Sequence, residues 1–109
     1  MANTFKNKTL DLTTSYQDLI PAVASSTTTI VLGMRATNVD RTNSADIDVE
    51  FTDSDGSTKA LLASTMPVPA DSSLEVVSGK FVLETGDKIQ AKASAASDIE
   101  MFVSMLEIT

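Results

Sequence analysis

Histidine, cysteine and tryptophan are all missing from the 109 residues. Without His or Cys, no imidazole- or thiol-based triad, His–Cys zinc site or usual haem ligation can be assembled. Aromatic residues make up 5% of the chain, four Phe and one Tyr, which leaves little for stacking on a sugar or a base. Cations are scarce as well: eight Lys and Arg stand against fifteen Asp and Glu, a net charge of -7. That balance excludes the cationic footprint of a nucleic-acid binder and attraction to an anionic membrane surface. The opening MANTFKNKTLDL lacks the apolar core of an export signal, and no apolar run approaches the ~20 residues of a membrane span. These absences point to a structural or binding module, not an enzyme, with no cofactor.

What is present is enough for one small core. Hydrophobic residues are 42% of the chain, and its length fits a single domain. Small all-β domains without disulfides or metals bury little of their surface, so oligomerisation or docking on a larger assembly is the expected remedy.

Period-two patterning recurs along the chain. In residues 45–52, Ile47, Val49 and Phe51 alternate with Asp46, Asp48 and Glu50, as a strand between core and water requires. Residues 30–39 place Ile30, Leu32, Met34 and Ala36 on one face, and 88–95 place Ile89, Ala91, Ala93 and Ala95 opposite Lys88, Gln90, Lys92 and Ser94. Residues 8–14 read as a short first strand or an arm, further strands are expected at 59–66, 74–77 and 80–83, and 16–24 is a proline-bearing edge or an irregular segment. Phe51 and Phe81 read as core. Turn chemistry separates the runs: Asp53-Ser54-Asp55-Gly56, Ser78-Gly79 and Glu84-Thr85-Gly86-Asp87. The expectation is an all-β, antiparallel β-sandwich of about eight strands, jelly-roll or immunoglobulin-like. Residues 1–8 read as an N-terminal arm whose Phe5 anchors on a neighbour, and residues 9–109 as the sandwich domain.

The last run, 99–108, is apolar on both faces. Ile99, Met101, Val103 and Met105 share one, and Phe102, Leu106 and Ile108 the other. Phe5, Phe102, Leu106 and Ile108 are therefore the candidate interface residues. Asp53 and Asp55 are candidate cation ligands through hard carboxylate oxygens, in an adhesion domain stabilised by calcium. Against that, Ser57, Lys59 and Leu61 stand where a calcium loop needs further ligands, and a hairpin turn accounts for the pattern. Same-face pairs such as Asp46 and Asp48, about 7 Å apart along a strand, have a spacing usable for glycoside cleavage but also found on ordinary solvated strands. Tyr16 is the one ring available for a carbohydrate-binding surface.

The stretch VPADSSLEVVSGKFVLETGDKIQAKASA, residues 68–95, and the terminal Glu107-Ile108-Thr109 resemble small virion proteins of tailed bacteriophages, including phages of cyanobacterial and marine hosts. The resemblance extends over residues 20–109 and rests mostly on turns. It implies a β-sandwich on the capsid surface or in the neck or tail, made in the host cytoplasm and located in the virion. It further implies homo-oligomeric assembly, a trimer being one form, and contact with the major capsid protein or another virion protein. A capsid decoration protein, a neck or tail component and a carbohydrate-binding module are the functional readings that follow.

Overall fold

The clearest alternation in the sequence becomes a strand with one wet and one dry face: Ala45, Ile47 and Val49 are buried, while Asp46, Asp48 and Glu50 are half-exposed. The computed structural model describes residues 2–77 and 79–109, so the Ser78 half of the expected Ser78-Gly79 turn, and Met1, lie outside the described residues. Nine strands form among the described residues: β1 (Asn3–Asp11), β2 (Gln17–Ile20), β3 (Thr28–Asn38), β4 (Ala45–Thr52), β5 (Lys59–Val68), β6 (Ser73–Glu75), β7 (Phe81–Leu83), β8 (Lys88–Ala93) and β9 (Ile99–Ile108).

They make two antiparallel sheets. The first runs β1-β9-β3, with β6 and β7 successively occupying the far side of β3; the second runs β2-β8-β4-β5. Apart from the β4–β5 hairpin and the β6–β7 step, each connection passes from one sheet to the other, the winding of a jelly roll. The all-β sandwich expected from patterning is therefore what forms. Its core lies between the sheets. Val31, Met34, Ala36, Ile99, Met101 and Val103 come from the first, and Leu19, Ile47, Val49, Val68, Ile89 and Ala91 from the second. Each fully buried Val, Leu or Ile stabilises the fold by roughly 1.5–3 kcal/mol relative to exposure. Among the buried polar residues is Asn38: its Nδ2 donates to the carbonyls of Asn43 and Val68, both at 3.0 Å, and its Oδ1 accepts the Asp40 N–H at 2.9 Å. With donors and acceptor engaged, it ties β3 to the end of β5 without leaving an unpaired group.

Three expectations change. The arm at residues 1–8 is mostly strand: β1 pairs with β9 from Asn3↔Ile108 to Asp11↔Glu100 with no shift of register. It is nearly all polar because one backbone ladder holds it and almost none of its side chains is buried. In β3 the ladder to β9 slips between Val31 and Gly33. Thr29 and Val31 are buried before the slip, and Met34, Ala36 and Asn38 after it, so Ile30 belongs to the outer face. A bulge reverses the side-chain alternation, and a strand glycine often marks one. Phe51 and Phe81 pack against the core but are only partly buried. The β4–β5 ladder shifts between Val49 and Glu50, and beyond it Thr52 takes the buried position at 3% exposure.

Candidate functional site

β9 lies between β1 and β3, and its two faces separate cleanly. Ile99, Met101, Val103 and Met105 are buried in the core; Phe102, Ser104, Leu106 and Ile108 line the outer side of the first sheet. Leu106 is opposite Phe5 of β1 on one flank and Ile30 of β3 on the other, and Ile30 is opposite Val82 of β7. Residues directly opposite one another in antiparallel strands share a face, with Cβ atoms about 4.5–5.5 Å apart. Phe5, Leu106, Ile30 and Val82 thus form an apolar row across four strands. Its ends stand well out of the surface, Phe5 at 74% and Val82 at 56% exposure, while Leu106 and Ile30 are half-buried between them.

Of the four interface residues expected from sequence, Phe5 and Leu106 are in this row. Ile108 adjoins it on β9, between Asn3 and Thr28. Phe102 is apart, four residues back along β9 and so roughly 13 Å away, between Thr9 and Arg35. Sequence reasoning missed Ile30 and Val82. Ile30 was hidden by the bulge. Val82 had a signal: a three-residue strand made of Phe81, Val82 and Leu83 must turn at least one apolar side chain outward. On the outer face, Asn7 and Ser104 border the row on one side, and Asn3 and Thr28 flank Ile108 on the other. The ion pairs lie elsewhere, Arg35–Glu75 at 3.2 Å beside Phe102 and Lys6–Glu107 at 2.9 Å on the opposite face of the sheet, and such surface pairs contribute little to stability.

The other candidates are occupied by local structure. Asp55 Oδ1 accepts the N–H groups of Ser57 and Thr58, both at 2.8 Å, and its Oδ2 accepts the Thr58 hydroxyl at 2.7 Å. The Thr58 backbone and hydroxyl bonds, then the Ser57 N–H, hold its carboxyl below the ordinary carboxylate value. Asp53 closes the same turn through backbone bonds, its N–H to the Thr58 carbonyl and its carbonyl to the Gly56 N–H. Gly56, Gly79 and Gly86 all have positive φ, as turn glycines do. Among the described residues, no group of three or more His, Cys, Asp or Glu is placed to hold a metal ion. Asp48 Oδ1 accepts the Thr65 N–H at 2.7 Å, and Glu50 pairs with Lys59 at 3.7 Å. The Lys92 ammonium sits 4.8 Å over the Tyr16 ring, covering one of its two faces. Burial, then the Glu50 and Asp48 carboxylates, push the Tyr16 hydroxyl above its usual range. A groove of ≈ 310 Å³ opens between β1 and the segment after β2, but its cations are engaged: Lys6 with Glu107, and Lys8 with the Asp18 carbonyl at 3.2 Å.

No protein-family model matches the chain, and no curated protein matches it in sequence. Solved structures do match in fold. A chain from the Bacillus endospore appendages, described as a novel family of disulfide-linked pili, superposes with a TM-score of 0.58 at 16% identity, over 99% of this chain and 87% of that one. A chain from the acid-stable capsid of Helicobacter pylori bacteriophage KHP30 gives 0.55 at 11% identity, over 100% and 89%. Infectious bursal disease virus, Gx strain, contributes a third at 0.53 and 10% identity, where 97% of this chain spans 31% of a much longer one. At these identities the likeness is one of fold.

Proposed function

We propose that the protein is a bacteriophage virion structural protein, a capsid decoration subunit that self-associates and docks on the major capsid protein. The observation that carries this reading is the row Phe5–Leu106–Ile30–Val82, an apolar strip on the outer face of a sheet whose other face already fills the core. Apolar strips framed by polar residues are how protein surfaces meet partners. The fold likeness to a phage-capsid chain only slightly longer than this one supports a small shell component. So does the acidic balance, which keeps the free protein soluble and gives register against a complementary surface.

The test is to mix the purified protein with undecorated shells and follow co-sedimentation, using wild type, Val82→Glu and Phe102→Ser. Both side chains are substantially exposed, so stability should stay within about 0.5 kcal/mol of wild type. Stoichiometric binding that Val82→Glu abolishes and Phe102→Ser retains is expected. Binding untouched by Val82→Glu would remove the row from the contact, and no binding at all would remove the shell.

A second reading, a tail, neck or filament component, is favoured by the match to the endospore-appendage chain over 99% of this sequence. A filament of this protein would need contacts other than disulfides, since it has no cysteine. A few tens of copies per particle, against hundreds for a decoration protein, would select this position.

A further inference from the structure

The two sheets have four edges, and they are not alike. β2 is four residues long, shifts register and ends against Pro21. β5 contains Pro67, has Thr65 at a φ of 48° and shifts register twice against β4. β6 and β7 are three residues each. Short strands, prolines, bulges and edge lysines are how sheets avoid pairing with one another. Of these β1 has only the lysines, Lys6 and Lys8, which constrain register; it is nine residues long, with no proline and an unshifted ladder.

The phase of that ladder says which groups face outward. Ala2 and Thr109 exchange both backbone bonds, at 3.1 and 2.9 Å, one step beyond the Asn3↔Ile108 pair. Bonded and non-bonded pairs alternate in an antiparallel ladder, so Thr4, Lys6, Lys8 and Leu10 bond β9. The N–H and C=O groups of Asn3, Phe5, Asn7 and Thr9 point to the open edge.

We infer that the β1 edge pairs with the β1 edge of a second copy, antiparallel, about a two-fold axis at Phe5. Charge and the apolar row together select the register. Moving the axis to Lys6, Asn7 or Lys8 sets Lys6 or Lys8 directly against a lysine of the other copy, and like charges directly opposite destabilise a sheet. With the axis at Phe5, Lys6 is opposite the partner's Thr4, Lys8 is opposite the partner's Ala2, and about six backbone bonds form through Asn3, Phe5 and Asn7. Phe5 then meets the partner's Phe5, and the apolar row continues unbroken from Val82 of one copy to Val82 of the other. Both copies use the same edge, so the contact closes as a dimer, not a fibre or a trimer. The inference stands on this edge alone and does not require the shell reading.

Sedimentation of the free protein, without shells, tests it. A concentration-dependent dimer is expected for wild type. The Asn7 N–H faces the open edge, so Asn7→Pro removes a seam donor without touching the β9 ladder and should weaken the dimer roughly tenfold or more. Because the chain has no cysteine, cross-linking reads the register. Phe5→Cys places two thiols across the axis, at a Cα spacing of about 5.5 Å that suits a disulfide, whereas Asn7→Cys places them opposite asparagines. Rapid oxidation of Phe5→Cys to a covalent dimer, with Asn7→Cys staying monomeric, supports the seam. A wild type that stays monomeric at millimolar concentration, or an Asn7→Cys variant that cross-links while Phe5→Cys does not, overturns it. Failure of dimerisation with shell binding intact would leave the shell reading standing.

Discussion

The carboxylate of Asp87 accepts the backbone N–H of Ser54 at 3.1 Å, fastening the turn before β8 to the turn between β4 and β5. Its other oxygen accepts the Glu84 N–H at 2.8 Å, and the residue is only 3% exposed. Hydrogen bonds to a charged group contribute about 1.5–3 kcal/mol, and losing one strands its donor. Asp87→Ala is therefore expected to lower stability by about 2–4 kcal/mol, read from the urea midpoint. A loss below ~0.5 kcal/mol would mean water replaces the carboxylate freely.

Gly86 makes the same junction close. Its φ is 89°, and a Cβ there would come within 2.7 Å of the Ser54 Cβ and 3.3 Å of its Cα. Gly56 has a φ of 76° but open space around it. Gly86→Ala should cost more than about 2 kcal/mol and Gly56→Ala about 1, the second reflecting backbone strain alone. Equal losses in thermal melts would show that Ser54 yields.

Acid should loosen two turns first. Asp40 is held below its ordinary value of 3.8 chiefly by the Thr42 and Asn43 N–H groups, and Asp55 by Thr58 and Ser57. A carboxyl lowered by folding contributes stability that is complete above the unfolded value. That contribution drains away as pH falls below 3.8 through the lowered folded value. The urea midpoint of wild type should fall more steeply below pH 4 than that of Asp55→Asn. Parallel curves would assign the acid sensitivity elsewhere.

The Thr52 hydroxyl is buried without a hydrogen-bond partner among the described residues. Thr52→Val keeps the shape and removes the orphaned group, so it should raise stability by about 1 kcal/mol. Calorimetry showing a loss instead would indicate that the hydroxyl is satisfied by water.

How much of this was legible in the chain differs by residue. The alternation of Ile47 and Val49 with Asp46, Asp48 and Glu50, and of Ile89, Ala91 and Ala93 with Lys88, Gln90 and Lys92, is local and survives folding unchanged. The turn at Asp55-Gly56 is equally local, since its carboxylate reaches only two and three residues onward. Phe5 and Leu106 could be singled out as apolar residues without an obvious place in the core. That they face each other, with Ile30 and Val82 completing the row, could not, because those pairings join residues distant in sequence.

The amino-acid sequence by itself determined an all-β chain, most of its strands, its turns and which face of most strands enters the core. Those properties depend on period-two alternation and on short-range backbone chemistry. Tertiary structure decided the rest: that residues 3–11 form a sheet edge and not an arm, that β3 reverses its faces at a bulge, and that four apolar side chains align on the outer surface. Strand order and register are set by which distant backbones meet, and a one-residue slip there moves every following side chain to the opposite face.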